Sequence, residues 1–285
     1  MLDYFPFITA LFVSSLAAAY DLKTTEIPDR FPYSMILIGL AYYLFLSISQ
    51  NNFYFIINSV LFGLIFLGIG FLLYYFGQWG GGDAKLLGAI GFLLPIKPEN
   101  AAQTIFPFPL SFFINLFLIG SIYMLLYSFV YSIINRKIIN NFLKEIKASV
   151  KILLIASISF LSLTFILAYY FLKIFFIFSF TSLIKTSFLS LLLSIIIFVV
   201  WKFARVAEKG FIKKIHVSKL KVGDVIADSK YIEGIDEKEL RRIKKSGKKF
   251  VNIKEGVRFG PAFPLAILFT FYFGDLLFSF SFLIF

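Results

Sequence analysis

The chain has 285 residues, of which 59% are hydrophobic, 20% are aromatic and 40 are phenylalanine, and its formal net charge is +12. Apolar residues in that proportion, gathered into long uncharged blocks, exclude a soluble domain and define a polytopic membrane protein; basic residues bordering those blocks read as positive-inside signals and contacts to anionic membrane lipids, not as a nucleic-acid surface. The absence of cysteine excludes disulfides and thiolate metal sites, and a single histidine, His216, leaves a His-based metal cluster or a Ser-His-Asp triad hard to build.

Met1-Leu2-Asp3 supplies no basic n-region, and no small-residue cleavage site follows, so the first apolar run, 4–20, reads as a retained helix and not as a removed signal. In order the apolar blocks are 5–20, 31–49, 53–76, 84–94, 105–134, 150–172, 187–200 and 261–285. The fourth is short for a core that needs about 20 residues, so it continues past Pro95 or starts within the preceding Gly loop. The one polar stretch of any length is 202–258. Within it 222–226 reads as a strand, Asp236-Glu237-Lys238-Glu239 opens a helix with capping-box spacing, Gly247 ends that helix, and 250–253 reads as a second strand. The expected fold is an all-α polytopic membrane protein of about eight transmembrane helices with a small cytoplasmic α/β module before the last helix. Its divisions are a membrane domain over 1–204, the α/β module over 205–258, and a last transmembrane helix over 259–285.

Orientation follows from lysine and arginine in the connections. With the N-terminus outside, the outer loops 50–52, 95–104 and 173–186 hold only Lys97, Lys173 and Lys185. The inner ones hold Arg136, Lys137, Lys144, Lys147 and the dense basic run of 201–260.

Two polar interruptions then emerge on the same, inner side. The first is 21–30, beginning Asp21-Leu22-Lys23-Thr24-Thr25-Glu26; the second is 77–85, with Gly80-Gly81-Gly82-Asp83 at its heart. A carboxylate at a hydrocarbon boundary needs a partner or a purpose. Three successive glycines offer φ angles that other residues avoid and remove every side chain that would hold a substrate backbone away from Asp83. The plainer reading of the same loop is a flexible connection whose aspartate caps the following helix.

Gly80-Gly81-Gly82-Asp83 resembles the G-x-G-D motif of membrane-embedded aspartic peptidases. Asp21 followed by Lys23 and Ile27-Pro28 resembles the first aspartate segment of the archaeal prepilin and preflagellin peptidases. The resemblance covers the first hundred residues, where both aspartate hairpins lie, and 219–264 resembles the soluble domain and last-helix entry of the archaeal branch; residues 100–205 carry no recognised motif. It implies that Asp21 and Asp83 are a catalytic dyad, that Gly80, Gly81 and Gly82 let the substrate backbone approach, and that no metal or organic cofactor takes part. The implied partners are pilin-like or archaellin precursors, cut at the cytoplasmic face of the cell membrane to release a short basic leader. Bacterial relatives that also methylate the new N-terminus carry a cysteine-bearing segment that this chain lacks, so no methyltransferase activity is expected. Two carboxyl groups in one site cannot both ionise, which yields the acid and the base that peptide hydrolysis requires.

The remaining charged residues have blander readings. Asp29 precedes Arg30-Phe31-Pro32 and caps the second helix, while Lys23 and Lys85 anchor in headgroups. Glu26 and Asp29 also give the inner face a local negative charge suited to a basic leader. The run Lys238 to Lys249 is a lipid-facing surface, Asp275 is structural or interfacial, and His216 is incidental. A presenilin-like intramembrane protease would share the Gly-Asp motif, and a transporter or channel would also place carboxylates at helix breaks.

Overall fold

The computed structural model describes residues 4–174, 179–227, 234–254 and 257–276. In chain order they form α1 (Phe5–Thr24), α2 (Arg30–Ser49), α3 (Tyr54–Tyr75), α4 (Gly81–Leu93), α5 (Phe108–Ile134), α6 (Arg136–Ile174), α7 (Phe180–Gly210), β1 (Ile212–His216), β2 (Val225–Ile226), α8 (Glu237–Lys245), β3 (Phe250–Lys254) and α9 (Ala262–Phe273). Two compact units divide the chain: 1–126 with 217–248 and 255–285, and 127–216 with 249–254.

In the first unit α4 packs against α1, α2 and α3 and is buried at Ala84 and throughout 86–93. Its 13 residues reach only about 20 Å at the α-helical rise, less than a hydrocarbon core. Small residues on its neighbours bring the backbones together: a Cβ at Gly70 of α3 would stand 2.7 Å from the Ala84 carbonyl oxygen, and one at Gly39 of α2 would stand 2.8 Å from that of Phe92. Close approach of this kind replaces the hydrophobic drive that helices lose in lipid. The carbonyls at the end of α4 are also provided for. The Ser59 hydroxyl donates to the Phe92 carbonyl at 2.6 Å and the Tyr43 hydroxyl to that of Leu93 at 3.2 Å, so two of the terminal acceptors are satisfied where the helix stops in apolar surroundings. Leu37, Leu61, Leu64 and Phe71 are exposed, the apolar outer surface expected of lipid-facing helices.

α9 lies against α1. Its far end is tied to α5 by Asn115, a fully buried side chain that donates to the Thr270 hydroxyl at 2.9 Å and the Gly274 carbonyl at 2.7 Å and accepts the Leu276 N–H at 3.2 Å. Asp275 is buried and accepts the Ile105 N–H, which gives it the structural role expected of it.

In the second unit α6 and α7 run antiparallel. The Thr164 and Ser190 hydroxyls meet at 2.8 Å and Lys202 pairs with Glu145 at 3.3 Å. Both helices outrun the apolar blocks that announced them, because the flanking Lys, Arg, Glu and Ala lower hydropathy while favouring helix. β1, which the sequence pattern did not suggest, pairs antiparallel with β3 from Ile212 opposite Lys254 to His216 opposite Phe250.

All eight apolar blocks contain helix, yet only six helices among the described residues are long and apolar enough to cross a membrane. The exceptions are α4 and α9, with 13 and 12 described residues; 277–285 of the last block, like Met1 to Asp3, lie outside the described residues. In 217–248 the expected strand shrinks to β2. The expected helix is present as α8, with the Asp236 side chain accepting the Glu239 N–H at 2.6 Å.

Candidate active site

α1 ends where Thr25 turns left-handed at φ 61° and its N–H bonds the Asp21 carbonyl at 2.8 Å. That stop puts Asp21 in the last helical turn, where it is buried. Just beyond the end of α3 at Tyr75 the chain turns at Gly77, φ 65°, and it re-enters helix at Gly81. Asp83 then occupies the first turn of α4, and its Oδ2 accepts the Gly80 N–H at 3.3 Å. Capping therefore uses one oxygen only. The other, Oδ1, is buried without a hydrogen-bond partner among the described residues, a condition that native structures seldom leave unexplained.

The left-handed φ angles expected of these glycines are absent. Positive φ belongs to Gly77; Gly80 is extended at φ −75°, and neither Gly81 nor Gly82 is left-handed. Space is the constraint instead. A Cβ on Gly82 would stand 2.8 Å from the Cβ of Ile27, whereas one on Gly81 would meet nothing nearer than the Tyr74 ring at 3.7 Å.

The Gly82–Ile27 contact joins the two acidic segments, and an ion pair does so again: Lys85 Nζ stands 2.7 Å from Asp29 Oδ1. Both residues depart from their expected roles. Asp29 makes no side-chain cap to α2, because its own backbone is helical there and its carboxylate reaches across to Lys85; Lys85 is held by that carboxylate and is not a free headgroup anchor. Asp21 lies within electrostatic reach of Asp83. Glu26 stays exposed, next to the turn at Gly223, where a Cβ would stand 3.6 Å from Glu26 Oε1.

Three further residues border the pair and were not singled out in the sequence. The Gly260 N–H donates to Asp21 Oδ2 at 2.8 Å. Arg258, two residues earlier, acts electrostatically on Asp21, and its Nε is buried without a hydrogen-bond partner among the described residues. Between them Phe259 packs on Trp79 of the Gly loop at 5.4 Å. The available signal was Phe259-Gly260-Pro261 ahead of an apolar run, which reads as a helix entry and says nothing about its target.

A multi-pass helical membrane protein with a buried and a half-buried aspartate at adjoining helix ends is the class these features define. Residues 8–129, which include both aspartates, match the model of the type IV leader peptidase family. Three relatives resemble parts of the chain. A preflagellin peptidase of Methanocaldococcus jannaschii is 36% identical over 80 residues, 28% of this chain and 34% of that protein. The prepilin peptidase EppA of Methanothermobacter thermautotrophicus is 27% identical over 136 residues, 43% of this chain and 35% of that protein. A preflagellin peptidase of Methanococcus voltae is 33% identical over 109 residues, 35% of this chain and 46% of that protein. The chain thus spans less than half the length of each of these relatives. No solved structure matches it significantly.

Proposed function

We propose that the protein is a membrane-embedded aspartic endopeptidase that removes the short basic leader of pilin-like or archaellin precursors at the cytoplasmic membrane face. The observation that carries this reading is the meeting of the two acidic segments, with one carboxylate oxygen of Asp83 buried and uncommitted. In the hydrolytic step the ionised carboxyl of the pair takes a proton from water as the water oxygen attacks the scissile carbonyl carbon. The protonated carboxyl hydrogen-bonds the carbonyl oxygen as it gains charge, and the leaving amine takes up a proton as the C–N bond breaks. The Gly260 N–H fixes one oxygen of Asp21 and so orients the other. Glu26, exposed beside Asp21, receives the leader's basic residue; Asp29, with one oxygen on Lys85, adds to the local negative charge. Gly80, Gly81 and Gly82 leave room for the substrate backbone.

The test is cleavage of a panel of pilin-like and archaellin precursors by the purified protein. Asp21→Asn and Asp83→Asn each keep the side-chain volume and remove the acid-base function, so each abolishes cleavage at unchanged expression. Turnover by either variant, or no cleavage of any precursor by the parent protein, refutes the reading.

A further inference from the structure

The second unit holds a cavity of about 560 Å³ where the end of α5, the start of α6, the end of α7 and β1 come together. It is outside the segment that matches the leader peptidases, which ends at residue 129. Its floor is apolar: Ile138 and Val206 are buried, and the bare backbone of Gly210 lets α7 close on Ile138, since a Cβ there would stand 2.5 Å from the Ile138 Cδ1. Its walls carry Lys137, Lys144 and Lys209, none of which has a hydrogen bond or ion pair among the described residues. The carboxylate on the same wall, Glu145, is already committed to Lys202 at 3.3 Å.

Three uncompensated ammonium groups around one concave, apolar-floored site repel each other and focus a positive field into it. An anion relieves that repulsion, and phosphate suits lysine point charges without demanding planar geometry. The volume falls within the roughly 300–1,000 Å³ range of ligand pockets. The level is that of a membrane surface. The apolar run of α7 stops at Val200, and Trp201 follows beneath Arg205 at 4.6 Å and Lys202 at 5.6 Å, the aromatic and basic belt found at headgroup depth.

We propose that this cavity binds a phosphate-bearing anion, supplied either as the headgroup of an anionic membrane lipid or as soluble phosphate. Basic pockets between membrane helices take such headgroups elsewhere. The experiment uses the full chain purified in detergent, with native mass spectrometry in the presence of phosphatidylglycerol or phosphatidylcholine. A second arm measures melting with and without millimolar inorganic phosphate. The parent protein retains phosphatidylglycerol over phosphatidylcholine by about ten-fold or more. The K137Q/K144Q/K209Q variant, altered only at exposed side chains, loses that preference, while K147Q/K151Q, with two charges removed from α6 outside the cavity, keeps most of it. A lipid preference that excess phosphate does not displace identifies the lipid source. Phosphate-dependent stabilisation lost in the triple variant, with no lipid preference, identifies the soluble one. Equal retention by parent and triple variant with no phosphate effect overturns the site, and so does an equal loss in the two lysine variants, which reports surface charge alone.

Discussion

The backbone N–H of Gly260 donates to Asp21 Oδ2 at 2.8 Å. A side chain at 260 has no room: its Cβ would stand 2.9 Å from that same oxygen, 3.0 Å from the Asp21 Cβ and 3.2 Å from the Ala18 Cα. Gly260→Ala therefore displaces Asp21 or breaks the hydrogen bond. Overpacking of this kind costs about 1–3 kcal/mol, and the misplaced carboxylate lowers kcat by about ten-fold or more. Precursor-cleavage kinetics with a parallel melting curve read both effects, and unchanged kcat would show that the hydrogen bond does not position the aspartate.

The loop glycines separate by space. Gly82→Ala pushes on Ile27 from 2.8 Å and pries the two acidic segments apart, while Gly81→Ala makes an ordinary contact at 3.7 Å. Cleavage falls by about ten-fold in the first and changes by less than about two-fold in the second, since a fitted methyl strains nothing. Equal tolerance at both positions would remove the Gly82–Ile27 contact from the working site.

Glu26 is exposed and Asp29 is half-exposed in its pair with Lys85. An exposed charge pair is worth about 0.2–1 kcal/mol, so Glu26→Lys raises KM several-fold and leaves kcat close to the parent value. A precursor whose leader residue is changed from basic to acidic recovers part of the loss. Leader selection lies elsewhere if the reversed enzyme cuts the normal precursor as well as the parent does.

Because the chain has no cysteine, its orientation can be read by single introduced thiols. Gln50→Cys and Asn100→Cys react with an impermeant maleimide added from outside, and Asn140→Cys reacts only after the membrane is opened, as the lysine and arginine distribution requires. Outside labelling of Asn140→Cys reverses the orientation and with it the cytoplasmic placement of the dyad.

The features legible in the sequence are those encoded in short windows. Apolar runs announced the helices, the spacing from Asp236 to Glu239 announced the start of α8, and the two acidic interruptions announced the segments that meet. Each of these is a local pattern with a local cause. The Asp29–Lys85 pair was not legible, because a capping position and a pairing position look alike until the helices are docked. β1 escaped because Lys213 and Lys214 interrupt the alternation that marks a strand. Gly260 and Arg258 escaped for a deeper reason: a backbone N–H has no side-chain signature, and its acceptor lies 239 residues away.

That separation bears on biosynthesis. Asp21 and Asp83 are both made early, yet the donor that fixes Asp21 is supplied by the entry to α9, whose other end Asn115 moors to α5. Throughout translation of the intervening chain Asp21 has no Gly260 to bond, and the ribosome must deliver α9 to the bundle before the carboxylate is set. Order of synthesis thus acts as a timer: the proposed dyad is incomplete until α9 docks.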